Sequence, residues 1–410
     1  MSFQETNIDG DAVVPAAQDR GGHTFMELAM IGQKLLKTGQ HQKAITVLEF
    51  ALKKPWHESA ALSIVHSQLG TCYSAIGDLE NAIKHHQADM DLAREQKDTE
   101  SVAKAYANIA NVFKAAGKYN ESILCYEQQL DITRLTNDKK GQCRALANLG
   151  GAYQAVAQAW FKQEDHNLGM EYCVQAIKYT KQSARIAEQL RDKAAMGKAY
   201  GNLGILYEQM EEHDKAALCH KKRLKLAQES NDRAAEGRAY CNLGNAYRAQ
   251  FKYEKALECY QRDLAISLEL GDTSGRAITL SNIGNTHQAM GHIDETIDYF
   301  RQHLQIVEDL DDKNGMAWGY SNLARVSEAV GRFEDAKSYL EKQAQLAREL
   351  NDPVEEKAIN TSLARVRRLI EDGITVEQNK AIQALLNALD SANTKVKSKR
   401  YVSSLRSEHF

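Results

Sequence analysis

Residues 233–272 read RAAEGRAYCNLGNAYRAQFKYEKALECYQRDLAISLELGD. Ala239, Tyr240, Leu243, Gly244 and Tyr247 stand three and four apart, which is one face of a helix. Ala256, Leu257, Tyr260, Leu264, Ala265 and Leu268 form a second such stripe. Between the stripes lies Phe251-Lys252, where other copies of the pattern carry Gly117, Gly291 and Gly331. Glycine supplies the backbone freedom a tight helix–helix turn requires. The stretch therefore reads as a helical hairpin that closes on Asp272.

The hairpin recurs. An asparagine word marks each copy: Asn108-Ile109-Ala110-Asn111, Asn148-Leu149-Gly150, Asn202-Leu203-Gly204, Asn242-Leu243-Gly244-Asn245, Asn282-Ile283-Gly284-Asn285 and Asn322-Leu323-Ala324. The small residue of the word falls at 70, 110, 150, 204, 244, 284, 324 and 364, in steps of 40 with a single step of 54. Asp98, Asp138, Asp192, Asp232, Asp272, Asp312 and Asp352 close successive copies at the same spacing. Each is expected to cap the helix that follows, because its carboxylate accepts from amides with no partner inside the helix. A fixed period of this size predicts a helical solenoid, a fold that offers long surfaces to partners and seldom carries catalysis.

Hairpins are expected at about 24–55, 59–97, 99–137, 139–191, 193–231, 233–271, 273–311 and 313–351, with a degenerate ninth at 353–371. The copy at 139–191 carries 14 extra residues, expected around Gln158 to Leu168 between its two helices. The array as a whole is bounded at 23–371. Residues 1–22 read as a disordered leader, 372–390 as a capping helix with apolar helical spacing, and 391–410 as a flexible basic tail.

A charged fraction of 26% and a hydrophobic fraction of 43% fit a well-packed soluble chain. The net charge of −3 provides no global field to draw it onto nucleic acid, so no nucleic-acid partner is expected. Three prolines, all outside 59–351, favour long uninterrupted helices. No run approaches the roughly 18 apolar residues a membrane span needs, so no integral membrane segment is expected. The seven cysteines make no CxxC pair and fall largely on apolar repeat positions, which reads as buried thiols in a reducing cytoplasm.

These residues resemble the tetratricopeptide repeat: Tyr240, Leu243-Gly244, Tyr247, Ala256 and Tyr260 match its sequence of aromatic, Leu-Gly, Tyr, Ala and aromatic. The usual unit is about 34 residues. The resemblance implies an all-α fold, a right-handed superhelix (α-solenoid) of about eight 40-residue hairpins plus a capping helix. Within that class the chain is similar to the Pins/LGN proteins, the G-protein signalling modulators of cell polarity and spindle orientation. They share the 40-residue unit, the enlarged fourth unit and a first unit like Glu27-Leu28-Ala29, Gly32, Leu35 and Gly39 here. The stretch from Arg223-Leu224 through Asp232 to Arg238-Ala239-Tyr240 is similar almost residue for residue. That resemblance implies a non-enzymatic cytoplasmic adaptor, at the cell cortex, for a NuMA-like or Inscuteable-like protein partner. Pins/LGN proteins also bind Gα through GoLoco motifs. No acidic-Leu-Leu segment followed by Gln-Ser and Asp-Gln-Arg is read here, so Gα binding lacks its motif. The alternative is a clustering or cargo scaffold, as in the more distant rapsyn and kinesin light chains, acting by self-association.

In this fold the first helix of each hairpin lines the concave side. Counting from the small residue, positions six before, two before, one after and four after are expected to face a peptide groove. The first of these gives Lys104, Arg144, Lys198 and Arg238. The others give Asn108, Asn111, Lys114, Asn148, Gln154, Asn202, Asn242, Asn245, Arg248, Asn282, Asn285, Gln288, Asn322 and Arg325. Each amide offers a donor and an acceptor to the backbone of an extended peptide, and the cations select acidic side chains. Both orientations stand open for the first asparagine of each word, which can equally bond a neighbouring helix. The second is expected to face the groove. By resemblance, Arg223 and Arg238 hold an acidic partner peptide.

No catalytic residue, metal site or cofactor is expected: GxxxxGK[ST], GxGxxG after a strand, HExxH and GxSxG do not occur. His85 and His86 are adjacent and so point to different helix faces.

Overall fold

The computed structural model describes residues 23–55, 58–373 and 378. The expected leader and basic tail lie outside the described residues, as does most of the expected capping helix. Among the described residues there are seventeen helices and no strand. They fall into two compact units that divide after Asn231.

The first unit holds five hairpins: α1 (Phe25–Lys37) with α2 (His41–Leu52), α3 (Ser59–Ala75) with α4 (Leu79–Glu95), α5 (Thr99–Ala115) with α6 (Tyr119–Leu135), α7 (Lys139–Lys162) with α8 (His166–Leu190), and α9 (Lys193–Gln209) with α10 (His213–Glu229). The second unit holds α11 (Arg233–Ala249) with α12 (Tyr253–Leu270), α13 (Thr273–Met290) with α14 (Ile293–Asp309), α15 (Lys313–Ala329) with α16 (Phe333–Glu349), and the single α17 (Pro353–Glu371). Within each unit every helix packs on the next, and successive first helices also touch, as α3 does α5, α7 does α9 and α11 does α13.

The closing aspartates act at helix N-termini. Asp98, Asp192, Asp232, Asp272 and Asp312 each accept from the backbone amide three residues on, and Asp352 accepts from two. Asp138 occupies the cap of α7 without a side-chain capping bond, so that one expectation is corrected. Its carboxylate instead lies 3.9 Å from Arg144. The serine hydroxyl and amide of Ser101 hold the Asp98 carboxyl below the usual carboxylate range.

At the helix ends the chain turns through a left-handed residue. Gly117 does so at φ 72° between α5 and α6, and the Lys118 amide reaches back to Phe113 at 2.9 Å. Phe251 takes the same place between α11 and α12 at φ 58°, with its ring exposed, a conformation that disfavours any residue bearing a Cβ.

The small residue of each first helix receives one side chain from the second helix of the same hairpin. A Cβ on Gly244 would meet the Tyr260 ring at 2.6 Å, and on Gly204 the His220 ring at 2.2 Å. Gly70 receives His86, Gly284 receives Phe300 and Gly32 receives Leu48. Tyr126, Tyr260 and Phe300 are wholly buried. Each contributes about 1.5–3 kcal/mol by burial of its ring, so the repeated small residue is a packing requirement. Tyr260 fills a socket in its own hairpin and also joins a core cluster with Ile283 of the next.

The 14 additional residues form no separate element between the helices. They extend α7 to 24 residues and α8 to 25, against 17 in α5, α6, α9 and α10. The connecting turn stays at Gln163–Asp165. The extension packs on itself: a Cβ on Gly169 would strike the Phe161 ring at 2.5 Å, and Tyr153 stacks on Tyr179 at 5.3 Å.

Candidate functional site: a polar groove on the first helices

Helices α5, α7 and α9 bring three copies of two positions together. Lys104, Arg144 and Lys198, six before the small residue, and Asn108, Asn148 and Asn202, two before it, line one concave cavity of about 780 Å³. Thr99, Glu100, Gln129, Asp138, Lys140, Thr180, Ser183 and Asp192 are also in its wall. Lys104, Arg144 and Lys198 are exposed, and the three asparagines are half-buried. Among the described residues these asparagines hold no side-chain hydrogen bond, so their amides can serve a ligand.

The charges are partly compensated. Lys104 Nζ lies 2.7 Å from Glu100, one helical turn away, and Arg144 faces Asp138 at 3.9 Å. Lys140 and Lys198 form no ion pair among the described residues. Two cations therefore remain to favour an anionic ligand over a neutral one.

The second helices add Gln129 and Ser183 to the wall, from a polar position that recurs along the chain and that sequence reasoning passed over. Nineteen residues after each small residue (33 in the enlarged hairpin) stands Asp89, Gln129, Ser183, Arg223, Asp263, His303 or Gln343. All but Arg223 are more than nine-tenths buried. Ser183 donates to the Cys143 carbonyl at 2.9 Å, tying α8 to α7. Gln129 Oε1 is buried without a hydrogen-bond partner among the described residues. Burial raises the Asp263 carboxyl's pKa, against the opposing hydrogen bond from Thr279 at 2.5 Å. The signal was present in the sequence as an unbroken polar column at the repeat period, on helices otherwise read for their apolar stripes.

The remaining candidate residues are placed elsewhere. Asn111 and Asn245 accept from the Tyr126 and Tyr260 hydroxyls at 2.6 and 2.7 Å, so the oxygen of each amide is engaged within its own hairpin. Burial raises the Tyr126 hydroxyl to about 12, and that of Tyr260 also rises, with the nearby Arg248 charge opposing the shift. Asn282 donates to Cys241 Sγ at 3.5 Å on the preceding first helix. Asn322 is buried and donates to the Trp318 carbonyl, while Arg325 bridges Asn322 at 2.7 Å and Gln288 at 3.3 Å. Asn242 and Asn285 are half-buried, as is Lys114. Arg223 lies against α9, where a Cβ on Gly201 would meet its guanidinium at 3.0 Å. Arg238 is exposed in the second unit, beside a cavity of about 300 Å³ whose wall includes Ile266, Leu270 and Ile278.

His85 and His86 diverge as their adjacency requires. His86 is buried over Gly70, and His85 Nδ1 meets His66 Nδ1 at 2.9 Å. Among the described residues no three His, Cys, Asp or Glu converge as a metal site, and no helix is long and apolar enough to cross a membrane. All seven cysteines are free, and burial raises the Cys72 and Cys173 thiols to about 11.

A family model described as the tetratricopeptide repeat matches residues 58–134, 235–309 and 275–349, and a second of the same description matches 199–234. The chain belongs to the tetratricopeptide-repeat family. As a repeat protein of this family it is a protein-interaction scaffold in fold and class. It is similar to G-protein-signaling modulator 1 of Mus musculus, 46% identical over 185 residues, which is 44% of this chain and 28% of the mouse protein. Tetratricopeptide repeat protein 28 of Homo sapiens is 33% identical over 85 residues, 21% of this chain and 3% of that protein. The chain thus matches well under half the length of these relatives.

Two solved structures share the repeat fold. One is a signal-transduction ATPase with a tetratricopeptide-repeat sensor from Pyrococcus horikoshii, with a TM-score of 0.59 at 16% identity over 90% of this chain and 54% of that one. The other is the apo form of RapI, with a TM-score of 0.54 at 14% identity over 86% of this chain and 99% of that one.

Proposed function

We propose that this chain is an adaptor whose first unit holds an extended, acidic peptide of a partner protein along α5, α7 and α9. The observation that carries the reading is the convergence of Lys104, Asn108, Arg144, Asn148, Lys198 and Asn202 on one cavity, from the same two positions of three successive hairpins. The asparagines bond the peptide backbone whatever its side chains. Lys198 and Lys140, with Arg144, select the carboxylates. The similarity to G-protein-signaling modulator 1 supports placing the adaptor in G-protein signalling. The finer role, a NuMA-like or Inscuteable-like partner in cortical polarity and spindle orientation, rests on that similarity and belongs to the same proposal.

The test is fluorescence anisotropy with acidic peptides of about a dozen residues, against the full chain. A charge-assisted hydrogen bond contributes about 1.5–3 kcal/mol, so Arg144→Glu with Lys198→Glu is expected to weaken binding by at least a hundredfold. Asn148→Ala with Asn202→Ala should weaken acidic and neutral peptides alike. Affinity untouched by both pairs would remove the groove assignment.

A further inference from the structure

A second surface of the first unit has a different character. On α8, Val174, Lys178, Lys181 and Arg185 follow at helical spacing and are all exposed. On α10, Lys215, Leu218, Lys222 and Lys225 do the same. Both helices pack against α9, and its Tyr207 brings the stripes together: Lys181 Nζ lies 5.6 Å and Lys215 Nζ 5.5 Å from the centre of that one ring. Lys222 Nζ stands over the Tyr200 ring at 4.7 Å. Aromatic faces thus fix these ammonium groups while their heads stay in water.

The exposed acids of α8 and α10, Glu171, Glu188, Asp214 and Glu229, are fewer than their exposed cations, and Glu188 accepts from the Tyr200 hydroxyl that Lys222 also reaches. Lys215 pairs with Glu212, and Lys225 lies 4.0 Å from Glu229, which is shared with Lys193 at 3.0 Å. Lys178, Lys181, Arg185 and Lys222 form no ion pair among the described residues. A chain of net charge −3 therefore concentrates cations on one face. Each stripe also holds an aliphatic side chain open to solvent, Val174 at 50% and Leu218 at 57% exposure.

We propose that the solvent face of α8 and α10 docks peripherally on an anionic phospholipid bilayer. The lysine heads meet the headgroup charge while Val174 and Leu218 enter the interface, the combination that membrane-surface helices use. Two features favour a bilayer over nucleic acid. The exposed aliphatics have no use on a phosphate backbone, and the cations are chiefly lysines, which act as point charges rather than bidentate forks. The face is separate from the groove residues, so a partner peptide and a membrane can be held at once.

The test is co-sedimentation of the full chain with vesicles of phosphatidylcholine containing about one third phosphatidylserine, and with phosphatidylcholine alone. Binding is expected only on the anionic vesicles and should be released by high salt. A surface cation contributes about a fivefold gain in partition, so Lys181→Gln with Lys215→Gln should weaken it about 25-fold. Lys178→Gln with Arg185→Gln, which leaves the Tyr207 contacts in place, should do much the same. Leu218→Ser should weaken it by a smaller factor, and Lys198→Glu in the groove should leave it unchanged. Equal binding to both vesicle types would overturn the proposal. So would unchanged binding by both folded double variants, or a preference for duplex nucleic acid that the same variants abolish.

Discussion

Acidification should unfasten the α3–α4 hairpin through one imidazole. His86 fills the socket over Gly70, is 2% exposed, and its Nδ1 has no hydrogen-bond partner among the described residues. Burial, with a smaller contribution from His85, lowers its pKa from 6.5 to about 4. The folded chain therefore prefers the neutral ring, and the unfolded chain takes up the proton first. This contribution is complete above pH 6.5 and drains away as the pH falls toward 4. Linkage with those two values gives a loss of about 2 kcal/mol at pH 5 and about 3 kcal/mol at pH 4. His66 and His85 are lowered in the same direction, so the wild-type slope alone does not isolate His86. His86→Phe does, because Phe300 occupies the equivalent socket over Gly284. Urea unfolding at pH 7, 6 and 5, with amide exchange to locate the change in α3–α4, should show the variant gaining about 2 kcal/mol on wild type between pH 7 and pH 5. Parallel pH profiles for the two proteins would refute the reasoning.

Gly244→Ala is expected to cost about 1–3 kcal/mol, because its new carbon meets a buried ring, whereas Gly197→Ala, with nothing within 4 Å, should be neutral or stabilise by up to about 1 kcal/mol. Calorimetry of the two variants checks the contrast. Asp272→Ala should cost about 1 kcal/mol through loss of its bond to the Gly275 amide. Asp138→Ala, where no capping bond exists, should cost less in the same melting experiment.

The hairpins were legible because the small residue, the turn and the closing aspartate each answer to a local requirement that repeats every 40 residues. The candidate groove was legible in part for the same reason: a helix that repeats in register sets Lys104, Arg144 and Lys198 in one column. Side-chain partners across helices were not. Whether the Asn245 oxygen is left for a ligand depends on the hydroxyl of Tyr260, fifteen residues away, and the hairpin of Asn285 carries Phe300, without a hydroxyl, at that place. The polar column from Asp89 to Gln343 was missed because polarity on a helix ordinarily means solvent, whereas here it lies more than nine-tenths buried at six of seven copies. The 14 extra residues continued the helices because nothing in Val156–Lys162 or His166–Tyr172 breaks one.

The long pair α7 and α8 exceeds its neighbours by seven and eight residues, about 10 Å of added helix. Phe161, His166 and Gly169 hold that spur together from within a few residues of its bend. Its integrity is therefore a local affair, decoupled from the amides and cations at its root. Evolution can reshape the tip, and an experimenter can graft an epitope or a fluorophore at Glu164, while the trough below keeps its form.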